Sequence, residues 1–237
     1  MGGKMKFGII VFPGSNCDRD LQTITQGLLN QTTRMVWHQE TDIQDLDVIL
    51  IPGGFSYGDY LRCGAIAQFS PIIPQVLEHA NQGKLVLGIC NGFQILTEIG
   101  LLPGALIRNR DLHFICDRVT VKVENNNLPW TAGYSSKQVI TLPIAHGEGR
   151  YYADQDTLKQ LEDNQQVVWR YCSPNGDINE MANPNGSLNN IAGISNEKGN
   201  VLGMMPHPER ASDPLIGARD GRGLFEGLIE TKIPILD

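Results

Sequence analysis

The sequence predicts an α/β fold, in which a mostly parallel, open sheet carries helices on both faces and antiparallel strands follow in the C-terminal half. Three short apolar runs, at residues 6–12, 48–51 and 85–89, lack polar alternation and therefore indicate strands buried on both faces. Apolar residues at helical spacing separate these runs, and strands that alternate with helices favour a parallel sheet. Valines then alternate with polar residues over 119–123, which is typical of a half-exposed antiparallel strand.

The remaining elements follow from local patterns of the same kind. Apolar residues every three or four positions predict helices, branched apolar runs predict strands, and clusters of Asn, Gly and Pro predict loops. In chain order these elements are a helix containing Leu21, Ile24 and Leu28, a short strand at 34–37, a helix after Pro71 that buries Val76, Leu77 and Ala80, a loop at 173–190, paired strands at 191–194 and 201–205, and a closing helix through Leu224, Phe225, Leu228 and Ile229.

Composition indicates a single domain spanning residues 1–237. Hydrophobic residues make up 41% of the chain, enough for a substantial core. The net charge of −7 is spread along the chain without a basic cluster, so no nucleic-acid partner is expected. No apolar run suits a membrane span, and no signal-peptide pattern opens the sequence. Five widely spaced cysteines without a C-x-x-C pair then favour reduced thiols and a cytoplasmic location.

Cys90 occupies the most informative position. It follows the apolar run at 85–89 and precedes a helical pattern, with Gly88 and Gly92 two residues to either side. This is the arrangement of a nucleophile elbow, a sharp strand-to-helix turn that lifts one side chain above the sheet. A side chain at either glycine would collide with the turn, and the positive end of the helix favours a thiolate. Cys90 is therefore a candidate nucleophile.

His207 and Glu209 supply the other components of a catalytic triad. They follow the predicted strand at 201–205 and lie two residues apart, so their side chains face one side of an extended chain. Pro208 fixes its own φ and disfavours helix at His207. A cysteine or a histidine alone is more often a packing residue. The elbow and the His-Pro-Glu string together, at the carboxyl ends of parallel strands, predict a nucleophile, a base and an orienting carboxylate.

The loop after the strand at 48–51 predicts an oxyanion hole. The backbone N–H groups of Gly54 and Asn91 could both point at a developing tetrahedral oxyanion. A phosphate cradle is not favoured, because no P-loop motif is present. No metal site is predicted either: His113 and Cys116 have a metal-like spacing, but no second pair of ligands accompanies them.

These motifs resemble the class I (triad) glutamine amidotransferases, whose fold is flavodoxin-like. The resemblance rests on the strings at 52–56, 88–94 and 207–209. Longer strings resemble one branch of that family, the glutaminase subunits of phosphoribosylformylglycinamidine synthase in purine biosynthesis, and extend the resemblance over nearly the whole chain. These longer strings lie at 12–18, 53–65, 145–150 and 203–211.

The resemblance implies a reaction and a set of roles. Cys90 attacks the side-chain amide of glutamine to form a thioester, His207 relays the proton to departing ammonia, and Glu209 orients His207. Gly54 and Asn91 form the oxyanion hole. The residues expected to bind or lie near the substrate are Gly53, Phe55, Ser56, Gln94, His146 and Gly147.

The resemblance also implies partners. Ammonia passes to a large ATP-dependent, PurL-like synthetase subunit that makes formylglycinamidine ribonucleotide, and a small PurS-like subunit helps to join the complex. ATP and Mg²⁺ belong to that partner, and no cofactor is expected in this chain. A complete triad without an acceptor site predicts a weak glutaminase that docking activates.

Alternative interpretations remain at this point. The chain could serve another class I amidotransferase with a different ammonia acceptor, although the longer strings speak against it. Cysteine-elbow peptidases and stress chaperones share a similar sheet but lack the His-Pro-Glu string, and a non-catalytic redox module would use Cys90 only for oxidation. The charged segment at 108–111 is expected to be a solvated loop, with a partner interface or the substrate pocket as alternatives.

Overall fold

A nine-stranded mixed sheet forms the centre of the protein in a computed structural model, which describes residues 4–231. The ends of the predicted domain at 1–237 lie outside the described residues. A separate two-stranded sheet accompanies the large one. The strands are β1 (Lys6–Val11), β2 (Thr32–Trp37), β3 (Val48–Ile51), β4 (Leu85–Ile89), β5 (Ala105–Ile107), β6 (Ile115–Val123), β7 (Val139–His146), β8 (Arg150–Tyr152), β9 (Val167–Tyr171), β10 (Ile191–Ser195) and β11 (Val201–Met204).

The large sheet has a parallel half and an antiparallel half. Its strand order is β2-β1-β3-β4-β11-β10-β9-β6-β7. Every pairing from β2 to β11 is parallel, and every pairing from β11 to β7 is antiparallel. The predicted fold class is confirmed, including the position of the antiparallel strands in the C-terminal half. β3 and β4 are buried along their whole length, as expected for strands covered on both faces.

All helices but one agree with the predicted pattern. They are α1 (Asp18–Gln22), which continues as a π-helical segment (Thr23–Leu28), α2 (Ile73–Asn81), α3 (Asn91–Glu98), α4 (Gln155–Asp163) and α5 (Arg222–Thr231). Within α2, Val76 and Ala80 are buried, whereas Leu77 is only half-buried. No helix in residues 4–231 combines the length and the apolar composition that crossing a bilayer requires.

Four strands and one helix had no counterpart among the sequence-predicted elements: β5, β7, β8, β9 and α4. β7 contains Pro143, which argues against a central strand, and the structure places β7 at the edge of the sheet. β5 and β8 have three residues each and pair only with one another. α4 is mostly polar and buries only Leu158 and Leu161, so its apolar pattern is weak.

The sheet order places three loops at one edge. β3, β4 and β11 are neighbours and run parallel, so their carboxyl ends meet there. The loop after β3 begins at Pro52, β4 ends just before Cys90, and β11 leads to His207. An open parallel sheet forms its sites at such an edge.

Candidate active site

Cys90 lies at the apex of the turn between β4 and α3. Its backbone angles, φ 51° and ψ −105°, are sparsely populated for a residue with a side chain. A Cβ at Gly88 would lie 2.5 Å from the carbonyl oxygen of Gly92, and a Cβ at Gly92 would overlap the carbonyl oxygen of Ile51. The predicted elbow and its need for both glycines are therefore confirmed. The turn also brings the positive end of α3 to the cysteine.

The backbone holds Cys90 and His207 at the ends of adjacent strands. Met204 pairs with Ile89 across β11 and β4, and the N–H of Cys90 donates to the carbonyl oxygen of Met204 over 2.7 Å. The N–H of His207 donates to the carbonyl oxygen of Pro143 in β7 over 2.8 Å. Backbone hydrogen bonds to strands of the large sheet thus hold both residues in place.

His207 and Glu209 form a buried pair. His207 Nδ1 lies 2.6 Å from Glu209 Oε1, and each residue is only 2% exposed. The Glu209 carboxylate accepts a hydrogen bond from the Nδ1–H group. The lone pair of the neutral ring therefore lies at Nε2, the position of a base. Nε2 forms no hydrogen bond of ordinary geometry within the described part of the chain. It is therefore available to a reacting group.

The environment of His207 favours its charged form. Burial opposes the imidazolium, but the Glu209 carboxylate and the Cys17 and Cys90 thiols outweigh burial, so the pKa of His207 lies well above its usual value. An imidazole whose pKa is raised in this way accepts a proton readily and holds it next to a negatively charged sulfur. That is the electrostatic requirement of a cysteine–histidine nucleophile.

Gly53 marks the point at which the site's side chains converge. A Cβ at Gly53 would lie 2.7 Å from His207 Cε1, 3.0 Å from Cys17 Sγ and 3.4 Å from Cys90 Cβ. The sulfur of Cys90 lies 3.7 Å from the carbonyl oxygen of Ala145, at the end of β7. The absence of a side chain at Gly53 lets the candidate nucleophile and the candidate base approach each other here.

Cys17 is a site residue that the sequence did not predict. It is buried beside His207, and burial raises the pKa of its thiol even though His207 acts in the opposite direction. Its Sγ lies 2.9 Å from Asn16 Oδ1. The available signal was its place in the string at 12–18, which supported the family resemblance without a role for this cysteine.

The predicted oxyanion donors, Gly54 and Asn91, follow Gly53 and Cys90 directly in the chain. Asn91 is the first residue of α3, where a backbone N–H has no partner within its helix. Gly54 follows Gly53 with φ 148°, and a Cβ there would lie 2.7 Å from the carbonyl oxygen of Gly14. Only glycine fits this close approach. The oxyanion role of the two N–H groups stays a prediction.

Two of the predicted substrate residues, Ser56 and Gln94, are joined through Asn91 in one hydrogen-bonded chain. The N–H of Ser56 donates to Asn91 Oδ1 over 3.1 Å, and Asn91 Nδ2 donates to Gln94 Oε1 over 3.0 Å. Gln94 Nε2 then donates to the carbonyl oxygen of Glu148 over 2.6 Å. The chain connects the loop after β3, the start of α3 and the turn after β7. Phe55, next to Ser56, is exposed at the rim.

His146 is held by a buried asparagine. Asn109 Nδ2 donates to the carbonyl oxygens of His113 and His146, and Asn109 Oδ1 accepts from the N–H of Gly149 and lies 3.1 Å from His146 Nδ1. The Asn109 amide therefore fixes the ring with its proton on Nδ1. Burial and the nearby His207 lower the pKa of His146 to about 4, so the ring is neutral at neutral pH.

Asn109 corrects the expectation for the segment at 108–111. Arg108, Arg110 and Asp111 are exposed, as a solvated loop requires, but Asn109 is buried and supports the turn at 146–149. Its N–H also donates to the carbonyl oxygen of Gly147 over 3.0 Å. A single buried residue in a charged loop leaves no periodic pattern, so the sequence carried no signal for it.

One candidate metal cluster is present within residues 4–231. Ligand atoms of Cys17, His207 and Glu209 lie within 4.8 Å of one another, and all three residues are buried. His113 and Cys116, the pair considered from sequence, do not belong to it.

Comparison with known proteins matches residues 4–219 to the CobB/CobQ-like glutamine amidotransferase domain. Phosphoribosylformylglycinamidine synthase subunit PurQ of Acaryochloris marina is 71% identical over 227 residues, which cover 96% of this chain and 97% of that protein. The protein of the same name from Synechocystis sp. is 71% identical over 219 residues, which cover 92% of this chain and 98% of the relative.

Solved structures include chains with a similar fold. A chain in the structure of PurLQS from Thermotoga maritima superimposes with a TM-score of 0.85 at 43% identity, covering 96% of this chain and 99% of that one. A glutamine amidotransferase from Thermotoga maritima superimposes with a TM-score of 0.57 at 14% identity, covering 99% of this chain and 88% of that one. The second likeness shows the fold alone.

Proposed function

Because the chain belongs to the CobB/CobQ-like glutamine amidotransferase family, we propose that it is the glutaminase subunit of a phosphoribosylformylglycinamidine synthase. Relatives named PurQ match nearly the whole chain. They support this synthase, rather than another amidotransferase, as the enzyme that uses the ammonia. The observation that carries the chemistry is the convergence of Cys90 and His207 over Gly53, with Glu209 bound to the far side of the imidazole.

The first half of the reaction forms a thioester. His207 Nε2 takes the thiol proton, and Cys90 Sγ attacks the side-chain carbonyl carbon of glutamine. The tetrahedral intermediate collapses as His207 returns the proton to the leaving nitrogen, which departs as ammonia. The raised pKa of His207 suits both transfers, because the imidazolium is stable while the sulfur is charged.

Water completes the reaction. His207 Nε2 removes a proton from water, the resulting hydroxide attacks the γ-glutamyl thioester, and the thiol of Cys90 leaves with the proton that His207 holds. The products are glutamate and the free enzyme. Glu209 keeps the ring oriented in both halves through its short bond to Nδ1.

The surrounding backbone and side chains stabilise and position the substrate. The N–H groups of Gly54 and Asn91 bind the oxyanion in both tetrahedral intermediates. Gln94 positions glutamine and also braces the turn at 146–149 through its bond to the Glu148 carbonyl. His146 presents a neutral ring in the same region, which leaves the imidazolium charge to His207.

A synthetase partner uses the ammonia. The likeness to a chain of the PurLQS structure supports docking onto PurL-like and PurS-like subunits, with ATP and Mg²⁺ bound by the large one and no cofactor in this chain. Tyr60 and Leu61, on the loop beside the site, are 71% and 76% exposed and offer apolar surface to a partner. We place the complex in the cytoplasm, because all five cysteines lie within the described residues as unpaired thiols.

A glutamine–ammonium comparison tests this function. The chain is mixed with its PurL-like and PurS-like partners, and formation of formylglycinamidine ribonucleotide is measured with glutamine or with ammonium as the nitrogen source. Cys90→Ala should abolish the glutamine-dependent rate and leave the ammonium-dependent rate intact. Cys116→Ser, which removes an exposed thiol, should change neither rate. Loss of both rates in Cys90→Ala, or survival of both, would contradict the proposal.

A further inference from the structure

The active site contains a second thiol that the glutaminase mechanism does not use. Cys17 is 1% exposed, and its sulfur borders the same small gap over Gly53, too tight for a methyl group, that His207 Cε1 and Cys90 Cβ also border. Buried cysteines commonly act as small apolar residues, but this one touches an imidazole whose Nε2 has no hydrogen-bond partner in residues 4–231. Two sulfurs and one free nitrogen around a common gap form the ligand set of a metal site.

We propose that Cys17, Cys90 and His207 bind a thiophilic divalent cation of the Zn²⁺ or Cd²⁺ class, and that the bound ion inhibits the enzyme by occupying its nucleophile and its base. The binding stands on the geometry of the chain alone. The inhibition rests on the proposed glutaminase function.

Two of the three ligands, Cys17 and His207, already lie close together. The point above Gly53 lies 3.0 Å from Cys17 Sγ and 2.7 Å from a carbon of the His207 ring. Zinc bonds are about 2.3 Å to sulfur and about 2.0–2.1 Å to nitrogen. Cys90 presents its Cβ to the same point at 3.4 Å, so its side chain must turn to bring the sulfur to the ion. The ligand atoms of Cys17 and His207 already lie within 4.8 Å of each other, in a group completed by Glu209, so Cys90 is the ligand that moves when the ion binds.

Glu209 supports the site from behind. Its Oε1 binds His207 Nδ1, which leaves the lone pair on Nε2 facing the two sulfurs. A carboxylate that holds the far nitrogen of a liganding histidine orients the ring and raises its basicity. Glu209 therefore acts as a positioning residue for the metal, as it does for the proton.

Charge and burial select the kind of ion. Metal binding displaces the protons held by the two thiols and by Nε2 of His207, and it leaves two thiolates and a neutral imidazole around the divalent cation. That centre is uncharged, and the Glu209 carboxylate beside it keeps its hydrogen bond from Nδ1, so a buried site tolerates the ion. Sulfur ligands favour Zn²⁺ and Cd²⁺, whereas Mg²⁺ prefers oxygen and keeps its water. The Mg²⁺ that accompanies ATP in the complex is therefore not expected to bind here.

Direct metal binding tests the proposal without reference to activity. The full-length, reduced protein is titrated with Cd²⁺ by calorimetry, while the thiolate-to-cadmium absorption band is followed. We expect one tight Cd²⁺ per chain, and a loss of affinity of at least about tenfold in both Cys17→Ser and Cys90→Ala, since even a supporting residue has an effect of that size. Cys116→Ser should bind as the wild type does, and Mg²⁺ should give no signal. Serine at 17 can keep the contact with Asn16, and circular dichroism checks that the variant is folded.

The outcomes separate cleanly. No Cd²⁺ binding by the wild-type protein, or unchanged affinity in folded Cys17→Ser, would overturn the proposed site. Inhibition is then measured as the ratio of glutamate release with and without Zn²⁺ for each variant, and Cys17→Ser should be at least about tenfold less sensitive. A protein that binds Cd²⁺ as expected but never releases glutamate would refute the glutaminase function and leave the metal site standing.

Discussion

Gln94 Nε2 donates a 2.6 Å hydrogen bond to the carbonyl oxygen of Glu148, a residue 54 positions later in the chain. The bond joins the helix that follows the nucleophile to the turn that carries His146. Its partner on the other side, Asn91, lies directly after Cys90 and also holds the N–H of Ser56. The side chain of Gln94 thus connects three segments of the proposed glutamine pocket.

Replacing Gln94 by alanine should weaken glutamine use without affecting ammonium use. The change leaves the Glu148 carbonyl and the Asn91 amide unpaired in a buried place, and each such loss costs about 1–3 kcal/mol. We expect kcat/KM for glutamine to fall by about fivefold to a hundredfold, measured as glutamate release by the assembled complex. Gln82→Ala, at the exposed end of α2, is the matched control. Equal kcat/KM in the two variants would contradict a positioning role for Gln94.

Replacing Gly92 by alanine should destabilise the protein, because the new methyl group would overlap the carbonyl oxygen of Ile51. Overpacking of this kind costs about 1–3 kcal/mol or more. Denaturant unfolding of the two proteins measures the difference. Gly27→Ala is the control, because a Cβ at Gly27 meets nothing within 4 Å, and its free energy of unfolding should not decrease. A stable Gly92→Ala protein would show that the elbow tolerates a side chain.

Glu209→Gln should lower the pKa of His207 and remove its contribution to stability at mildly acid pH. The raised pKa of His207 stabilises the folded state fully below the unfolded value of about 6.5, and this contribution is lost as pH rises through the folded value. The difference in free energy of unfolding between wild type and variant should therefore be largest between about pH 5 and 6.5 and shrink at higher pH. Unfolding curves at a series of pH values measure it. Glu197→Gln, in an exposed turn, is the control and should show no pH trend in this difference. The absence of a trend in Glu209→Gln would contradict the ion pair between Glu209 and His207.

The same substitution should reduce glutamine turnover sharply. A carboxylate replaced by an amide in a triad leaves the geometry but favours the wrong tautomer of the histidine, with losses of up to about 10⁴ in kcat. Glutamate release by the complex measures the effect, while ammonium-dependent synthesis controls for folding and docking. A loss of less than about tenfold would argue that Glu209 does not orient the base.

His146 should make the protein less stable as the pH falls. Its folded pKa of about 4 lies below the unfolded value of about 6.5, so between these values the unfolded chain binds more protons and stability rises with pH. His146→Gln should remove up to about 1.4 kcal/mol per pH unit of this slope. Unfolding between pH 4 and 7 measures the slope, and His113→Gln, which changes an exposed imidazole, should leave it unaltered. An unchanged slope in His146→Gln would show that its ring takes up protons freely in the folded protein.

The parts of the site that sequence could predict are those with local signatures. A glycine on each side of Cys90 and a proline between His207 and Glu209 constrain the backbone within a few residues, so the elbow and the His-Pro-Glu string were visible in the sequence. The strands that carry them were visible because they are apolar without interruption. β7 was not visible in the sequence, because Pro143 interrupts the usual strand pattern. A proline fits there because β7 lies at the edge of the sheet.

The parts that escaped prediction depend on contacts between distant segments. Cys17 reaches His207 because the loop after β1 folds against Gly53, whose carbonyl oxygen accepts from the N–H groups of Asn16 and Cys17. Asn109 reaches His146 across 37 residues of chain. Neither contact leaves a periodic or charge pattern in the sequence. They arise from tertiary packing, which overrides local composition.

The backbone bond from Cys90 to Met204 has a consequence for how the enzyme fails. Cys90 and His207 follow two central strands joined by the sheet's own ladder, and the N–H of His207 is also bound to β7, so their spacing depends on the large sheet. Fraying of helices that make neither bond leaves this spacing intact. Heat or denaturant should therefore inactivate the cysteine–histidine pair in the same cooperative transition that melts the central sheet, without an earlier local step.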